Sequence, residues 1–94
     1  MIADFDPAKD SANRAKHGVP LAFGVRVFED PLVVIRSTAR LGDEEERFKA
    51  IGRVDGKLWT AIHLWRGEAV RMISVRRSNT REQRDYDSDP GGSE

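Results

Sequence analysis

The sequence predicts a small α+β domain in which an antiparallel β-meander packs with two N-terminal helices and one C-terminal helix. Three apolar, β-branched segments follow one another between residues 47 and 77. Asp55-Gly56 and Gly67-Glu68 separate them, and Asp-Gly is a favoured pair for a two-residue hairpin turn. The chain has 94 residues, which is enough for one compact core and too few for two domains.

The N-terminal part begins with a short predicted strand over residues 2–5. Asp6 then suits the N-cap of a helix and Pro7 its first turn. The helix-forming stretch ends before Gly18, a residue that readily adopts the left-handed conformation of a C-terminal cap. We therefore expect the first helix to cover residues 7–16.

A second short helix is predicted over residues 21–28, opened by Pro20 and amphipathic at spacings of three and four. The β-branched run at 32–36 reads as a strand. Residues 37–46 are polar and acidic and are expected to form an exposed loop before the meander.

Two-residue turns fix the expected register of the meander, with Phe48 opposite His63 and His63 opposite Met72. We expect one face of the sheet to form the core under the N-terminal helices, through Ile51, Leu58, Ile62, Leu64, Ile73 and Val75. The other face is expected to carry Phe48, Ala50, Trp59, Ala61, His63, Trp65, Met72, Ser74 and Arg76. This register puts His63 and Arg76 on one face and Arg71 on the opposite one.

After the meander, Asn79 and Glu82 have the spacing of a capping box. A final helix is predicted from about residue 80 to Tyr86. The acidic stretch 87–94 contains Pro and Gly and is expected to be a flexible tail. The predicted organisation is therefore one domain over residues 1–86 followed by this tail.

Several classes of protein are disfavoured by what the sequence lacks. It has no cysteine, so disulfides and thiolate metal sites are ruled out. It has no apolar run long enough to cross a bilayer, and residues 1–10 do not resemble a signal peptide. No metal-binding or nucleotide-binding motif is recognisable. We expect a cytoplasmic protein without a cofactor and without membrane association.

Charge is unevenly distributed, although the formal net charge is zero. Residues 66–84 contain six arginines, namely Arg66, Arg71, Arg76, Arg77, Arg81 and Arg84, against two acids. Arginine pairs well with phosphate, so this segment favours a local site for a phosphate ligand. A solvated, salt-bridged surface explains the same composition.

The residues also permit acid–base chemistry on RNA. RNA carries its own nucleophile, the 2′-hydroxyl, so a protein needs to move protons and stabilise the phosphate. An imidazole such as His63 can move protons near neutral pH, and a guanidinium such as that of Arg76 can stabilise the phosphate. The alternative for His63 is a core histidine that is hydrogen-bonded locally.

Four segments together resemble the BrnT family of ribonuclease toxins. They are FDPAKDSANRAKHGV at 5–19, FEDP at 28–31, EERF at 45–48 and RMISVRRSNTREQRDY at 71–86. Phe5 stands where the family often has Trp, a change that keeps an aromatic ring. The resemblance covers nearly the whole predicted domain.

The resemblance implies a RelE-like fold and a toxin that cleaves RNA and arrests translation. It also implies a BrnA-type antitoxin with a ribbon–helix–helix domain, through which the complex would bind operator DNA. On this basis we expect His63 to act as general acid or base and Arg71 and Arg76 to stabilise phosphate charge. Further candidate substrate contacts are Lys16, His17, Arg77 and Tyr86, the last of which could instead pack the final helix.

A second reading remains open on the residues alone. The aromatic and arginine side chains would serve equally well as anchors of a protein interface. The chain would then be a non-catalytic binding module, or an inactive relative of the toxins that acts as a co-repressor.

Overall fold

The computed structural model describes residues 1–38 and 45–88. Within these residues the chain forms a five-stranded sheet and three helices. In chain order they are β1 (Ile2–Phe5), α1 (Pro7–His17), α2 (Phe23–Phe28), β2 (Val34–Ser37), β3 (Phe48–Val54), β4 (Lys57–Arg66), β5 (Ala69–Arg77) and α3 (Thr80–Ser88). The strand order is β1-β5-β4-β3-β2. None of the helices in this part of the chain is long and apolar enough to span a membrane.

The predicted meander is confirmed for β3, β4 and β5, which pair antiparallel. Asp55 and Gly56 both have positive φ, 51° and 83°, as a type I′ turn requires. The expectation of a wholly antiparallel sheet is wrong, because β1 pairs parallel with β5. The α1–α2 segment and the rest of the chain lie between these two strands, and a connection of that length allows a parallel pairing.

A β-bulge in β5 changes the predicted faces of the sheet. The register starts as expected, with His63 opposite Met72, but Ile62 then faces Ser74 and Ile73 is the extra residue. One extra residue exchanges the faces of every residue beyond it. Arg76 consequently pairs with Thr60, on the face opposite to His63. The predicted placement of His63 and Arg76 on one face is therefore wrong.

Helix α2 covers the other face from the one predicted, whereas α1 lies along the edge of β5. Buried residues of this core include Leu21, Val27, Ala50, Val54, Ala61, Val70, Met72 and Val75. The small residues on this face allow α2 to lie close to the sheet. A Cβ added to Gly52 would be 2.4 Å from the carbonyl oxygen of Val27. The predicted core face is therefore wrong, and the small side chains Ala50 and Ala61 on the observed one are what a closely packed helix needs.

The second face is half covered by α3. Tyr86 packs there with a small cluster formed by Val34, Ile51 and Leu58. Its hydroxyl donates to Asp30 at 2.6 Å. The predicted capping box is confirmed, since Asn79 and Glu82 exchange hydrogen bonds of 2.9 Å between side chain and backbone. Helix α3 runs to Ser88, two residues past its predicted end, and the rest of the predicted tail lies outside the described residues.

The uncovered half of the second face lies next to α1. Lys49, Ile62 and Ser74 are half-buried there on three neighbouring strands. Of the predicted exposed loop, residues 39–44 lie outside the described residues. Cationic side chains lie around the open half of the sheet and the adjoining side of α1, among them Lys9, Lys16, Arg47 and Arg71.

Candidate nucleic-acid site

A cationic cleft lies between α1 and the open half of the sheet, and it consists of two neighbouring cavities. The first, which we call the helix pocket, has a volume of about 200 Å³ and is lined by Lys9, Ala12, Asn13, Lys16, His17, Ile73 and Ser74. The second, the strand pocket, has a volume of about 160 Å³ and is lined by Lys9, Glu45, Arg47, Leu64, Arg66, Arg71 and Ile73. Lys9 and the bulged Ile73 line both, so the two cavities are neighbours and together form the cleft.

Asn13 fixes α1 against the sheet. Strand β1 pairs with β5 only as far as Met72, which leaves the next part of this sheet edge without a neighbouring strand. The Asn13 amide makes the hydrogen bonds that a neighbouring strand would make there. It accepts from the Val75 N–H at 3.0 Å and donates to the Val75 carbonyl at 2.9 Å. It also donates to the Val19 carbonyl at 2.8 Å, just after the helix. These bonds set the position of α1, and with it the wall of the helix pocket.

His17 is the accessible imidazole of the protein. The sequence contains two histidines, and His17 is the half-buried one, at the end of α1. Partial burial and the charges of Lys16 and Arg76 lower its pKa below 6.5. The ring is therefore mostly neutral at pH 7, the state in which it can accept a proton.

Arg76 lies on β5, near enough to His17 to lower its pKa, and is held by Glu82. The two groups form a bidentate ion pair, with two N–O distances of 2.8 Å. The Glu82 side chain is 1% exposed, whereas that of Arg76 is 29% exposed. This geometry fixes the guanidinium while leaving part of it open to solvent.

Glu82 has further partners besides Arg76. Thr60 donates to its carboxylate at 2.9 Å, and the Lys49 ammonium lies 3.3 Å from it. Burial raises the pKa of this carboxyl, but the hydrogen bonds from Arg76, the Asn79 N–H and Thr60 outweigh it and lower the pKa to about 2. Glu82 is therefore a permanent anion that joins α3 to the sheet beside the cleft.

The structure brings together three of the predicted site residues. Lys16 and His17 line the helix pocket, and Arg76 lies close enough to affect the pKa of His17. Arg71, a fourth, lies in the strand pocket and pairs with Asp4 at 2.9 Å. Three of these residues therefore line the cleft and Arg76 lies near it, although they come from α1 and β5.

His63 lies outside the cleft. Its side chain is fully buried on the helix-covered face, against Phe28 and Phe48. Nδ1 is 2.9 Å from the Ala61 carbonyl, and Nε2 has no hydrogen-bond partner among the described residues. Burial lowers the pKa of His63, so the ring is neutral at pH 7.

Arg77 and Tyr86 also lie away from the cleft. The Arg77 guanidinium stacks over Trp59, 5.6 Å from the ring centre, and Nε donates to the Leu58 carbonyl. The Tyr86 side chain is buried beneath α3, where only 9% of the residue is exposed. A role for Tyr86 in stacking on a base would require the ring to leave this packing.

Four residues at or beside the cleft are not among the predicted site residues, namely Lys9, Arg47, Lys49 and Glu82. For Lys9 the sequence does contain a signal. Lys9, Ala12, Asn13 and Lys16 recur at the spacing of one helix face, with a small residue and an amide between two lysines. Glu82 was identified only through its capping pattern, because sequence spacing does not show its contacts with β3 and β4.

Other features of the surface are weaker candidates for a binding site than the cleft. A larger depression of about 360 Å³ lies at the β3–β4 turn, but there the cations Arg26 and Arg53 are matched by Glu29, Asp30 and Asp55. Within residues 1–38 and 45–88, no group of three histidine or acidic side chains is arranged to hold a metal ion. The cleft is the better candidate because Lys9, Lys16 and Arg47 have no ion-pair partner among the described residues.

The fold and cleft define a small α+β protein suited to a polyanionic ligand, with a neutral imidazole beside the binding surface. Comparison with protein families agrees with this class. The family described as the ribonuclease toxin BrnT of type II toxin–antitoxin systems matches residues 5–82, so the chain belongs to the BrnT family. Such a family implies RNA as substrate and an antitoxin as partner. No curated protein sequence matches the chain.

Proposed function

We propose that this protein is an active endoribonuclease toxin that needs no metal ion and cleaves RNA in the helix pocket. The observation that carries the proposal is that His17 and Lys16 line an open cavity and that Arg76 lies near enough to lower the pKa of His17. A neutral imidazole near two positive charges is a sufficient arrangement for cleavage through the 2′-hydroxyl.

His17 acts as the general base in this proposal. Its neutral imidazole takes the proton of the 2′-hydroxyl, which attacks the adjacent phosphorus. The bond to the 5′-oxygen breaks, and that oxygen takes up a proton from water. The products are a 2′,3′-cyclic phosphate and a 5′-hydroxyl. Because the neutral form is the reactive one, the lowered pKa of His17 keeps the base active down to mildly acidic pH.

Lys16 and Arg76 stabilise the charge that develops on the phosphate. Arg76 is suited to this role because Glu82 already fixes its guanidinium, so little side-chain freedom is lost on binding. Lys16 is exposed at the end of α1 and makes no ion pair with other described residues, so its ammonium is available to the substrate.

His63 is the weaker candidate for the general base. A base must come within hydrogen-bond distance of the proton it removes. His63 is 0% exposed and lies on the opposite face from Arg76, so substrate could reach it only after α2 moved. We therefore propose a structural role for His63 in the core.

The proposal extends to the setting of the family. The toxin would act in the cytoplasm, arrest translation by destroying RNA, and be neutralised by a BrnA-type antitoxin whose ribbon–helix–helix domain binds operator DNA. A mixed sheet with α2 on one face and α1 along the edge of β5 supports a RelE-like classification of the fold.

The test is cleavage of RNA by the purified chain in excess EDTA, with analysis of the new termini. We expect cleavage under these conditions, 2′,3′-cyclic phosphate ends, and growth arrest on induction of the chain alone. Arg26→Ala is a matched control, since Arg26 is an exposed arginine on the far side of the molecule, paired with Asp55. Cleavage that requires an added divalent ion would contradict the proposed chemistry. Intact RNA with folded protein would favour the non-catalytic binding module.

A further inference from the structure

The cationic cleft has more positive charge than one phosphate needs, and the surplus lies in the strand pocket. Four cations line this pocket, namely Lys9, Arg47, Arg66 and Arg71. Two carboxylates offset them, since Glu45 pairs with Arg66 at 3.3 Å and Asp4 with Arg71 at 2.9 Å. The pocket therefore keeps a net positive charge at neutral pH.

Both ion pairs of the strand pocket can exchange partners with a ligand. The side chains of Glu45 and Asp4 are each 51% exposed. Ion pairs this open to water are weak, so a phosphate can compete for the arginines. Arg47 is half-buried and has no ion-pair partner among the described residues, so no described carboxylate competes with an anion for its guanidinium.

The separation of the two pockets suits neighbouring phosphates of one strand. Arg71 in the strand pocket and Ser74 in the helix pocket are three residues apart on β5, about 10 Å at the rise of an extended strand and less across the bulge. Lys9 lies between the two pockets and lines both. Because the pockets share Lys9 and Ile73, successive phosphates of one extended RNA strand can each contact one pocket.

We propose that the strand pocket is a second phosphate subsite, which binds the phosphate next to the scissile one in single-stranded RNA. This inference rests on the proposed function of the helix pocket. It makes a trinucleotide, with two phosphates, the smallest ligand that uses the whole cleft.

The test measures binding of RNA analogues that cannot be cleaved. Fully 2′-O-methylated di- and trinucleotides, with one and two phosphates, are titrated against the wild type. The same titrations are made with Arg47→Ala and with the control Arg26→Ala, which removes one arginine on the far side of the molecule. We expect the wild type and Arg26→Ala to bind the trinucleotide about tenfold more tightly than the dinucleotide. The dependence of log K on log salt should steepen by about 0.7 for the second phosphate.

Arg47→Ala should lose most of this gain while binding the dinucleotide normally, and Arg66→Ala, a second variant, should show the same pattern. Equal weakening of both ligands by Arg47→Ala would overturn the subsite, because it would show only a general effect of charge. The subsite would also be overturned if the wild type bound the trinucleotide no more tightly than the dinucleotide. If the wild type binds the trinucleotide more tightly but does not cleave RNA, the proposed function is refuted and the subsite is not. The two outcomes are separable because binding of the analogues does not depend on catalysis.

Discussion

Arg76 and Glu82 form a bidentate ion pair, with two N–O distances of 2.8 Å, across the junction between β5 and α3. The carboxylate is almost fully buried, whereas the Arg76 side chain is partly open to solvent. The same carboxylate accepts from the Asn79 N–H and from Thr60. One side chain therefore caps α3, joins it to the sheet and orients a cation of the proposed site.

Replacing Glu82 by Gln should destabilise the protein, most strongly at neutral pH. The pKa of Glu82 falls from 4.5 to about 2 on folding, which corresponds to about 3 kcal/mol of stability. A depressed carboxyl pKa contributes fully above 4.5, and the contribution is lost as pH falls towards 2. Urea denaturation at pH 7 and pH 3 measures the free energy of unfolding. We expect the difference between wild type and Glu82→Gln to shrink at pH 3, and a difference that stays constant would contradict the assignment.

Protonation of His63 should destabilise the fold in mildly acidic solution. Burial lowers the pKa of the folded state below 6.5, so the unfolded chain binds a proton before the folded one does. His63 therefore contributes stability above pH 6.5 that declines as pH falls to its folded pKa. Thermal melting between pH 7.5 and 5 should show a smaller decline in His63→Leu than in the wild type. Parallel curves would mean that His63 does not titrate in this range.

Gly52→Ala should be strongly destabilising because its Cβ would lie 2.4 Å from the Val27 backbone carbonyl. Helix α2 would have to move away from β3, at a cost of about 2 kcal/mol or more. Gly24→Ala is a matched control. Its Cβ comes closest to the end of the Met72 side chain, which can move, and alanine gains about 1 kcal/mol in helix propensity. If chemical denaturation ranks Gly24→Ala as the worse variant, the close packing of α2 is misassigned.

Asn13→Asp tests the contact that positions α1. An aspartate keeps the shape and the acceptor for the Val75 N–H, but it loses both donated hydrogen bonds and places charge at a site that is 5% exposed. We expect a loss of about 3 kcal/mol in the free energy of unfolding at pH 7. Asn79→Asp makes the same chemical change at a helix N-cap, where aspartate is equally favoured, and should change stability by less than about 1 kcal/mol. Similar losses in both variants would contradict this role of Asn13.

Local patterns in the sequence predicted much of the fold. The Asp6 cap, the left-handed Gly18, the Asp55-Gly56 turn and the Asn79/Glu82 capping box all depend on neighbouring residues, and all are present in the structure. Each of these features is set by interactions within a few positions along the chain. Nearby sequence is therefore sufficient to identify them.

The composition of the cleft could not be predicted in the same way. The bulge at Ile73 depends on where the β4–β5 pairing shifts, and no residue type there marks it. A register without the bulge predicts that Arg76 lies on the face of His63. In the structure Arg76 pairs with Glu82 and lies near His17. The parallel pairing of β1 with β5 is a contact between opposite ends of the chain, and it is not encoded in any local pattern.

The rate of RNA cleavage by His17→Ala, compared with that by His63→Leu, tests the central claim most directly. Both proteins would first be shown to be folded by circular dichroism, and the rates would be measured under single-turnover conditions. We predict that His17→Ala is slower than wild type by about 100-fold or more, because the general base is lost, whereas His63→Leu stays within a few-fold of wild type. Wild-type cleavage by His17→Ala together with an inactive, folded His63→Leu would contradict the account and place the chemistry on the other face of the sheet.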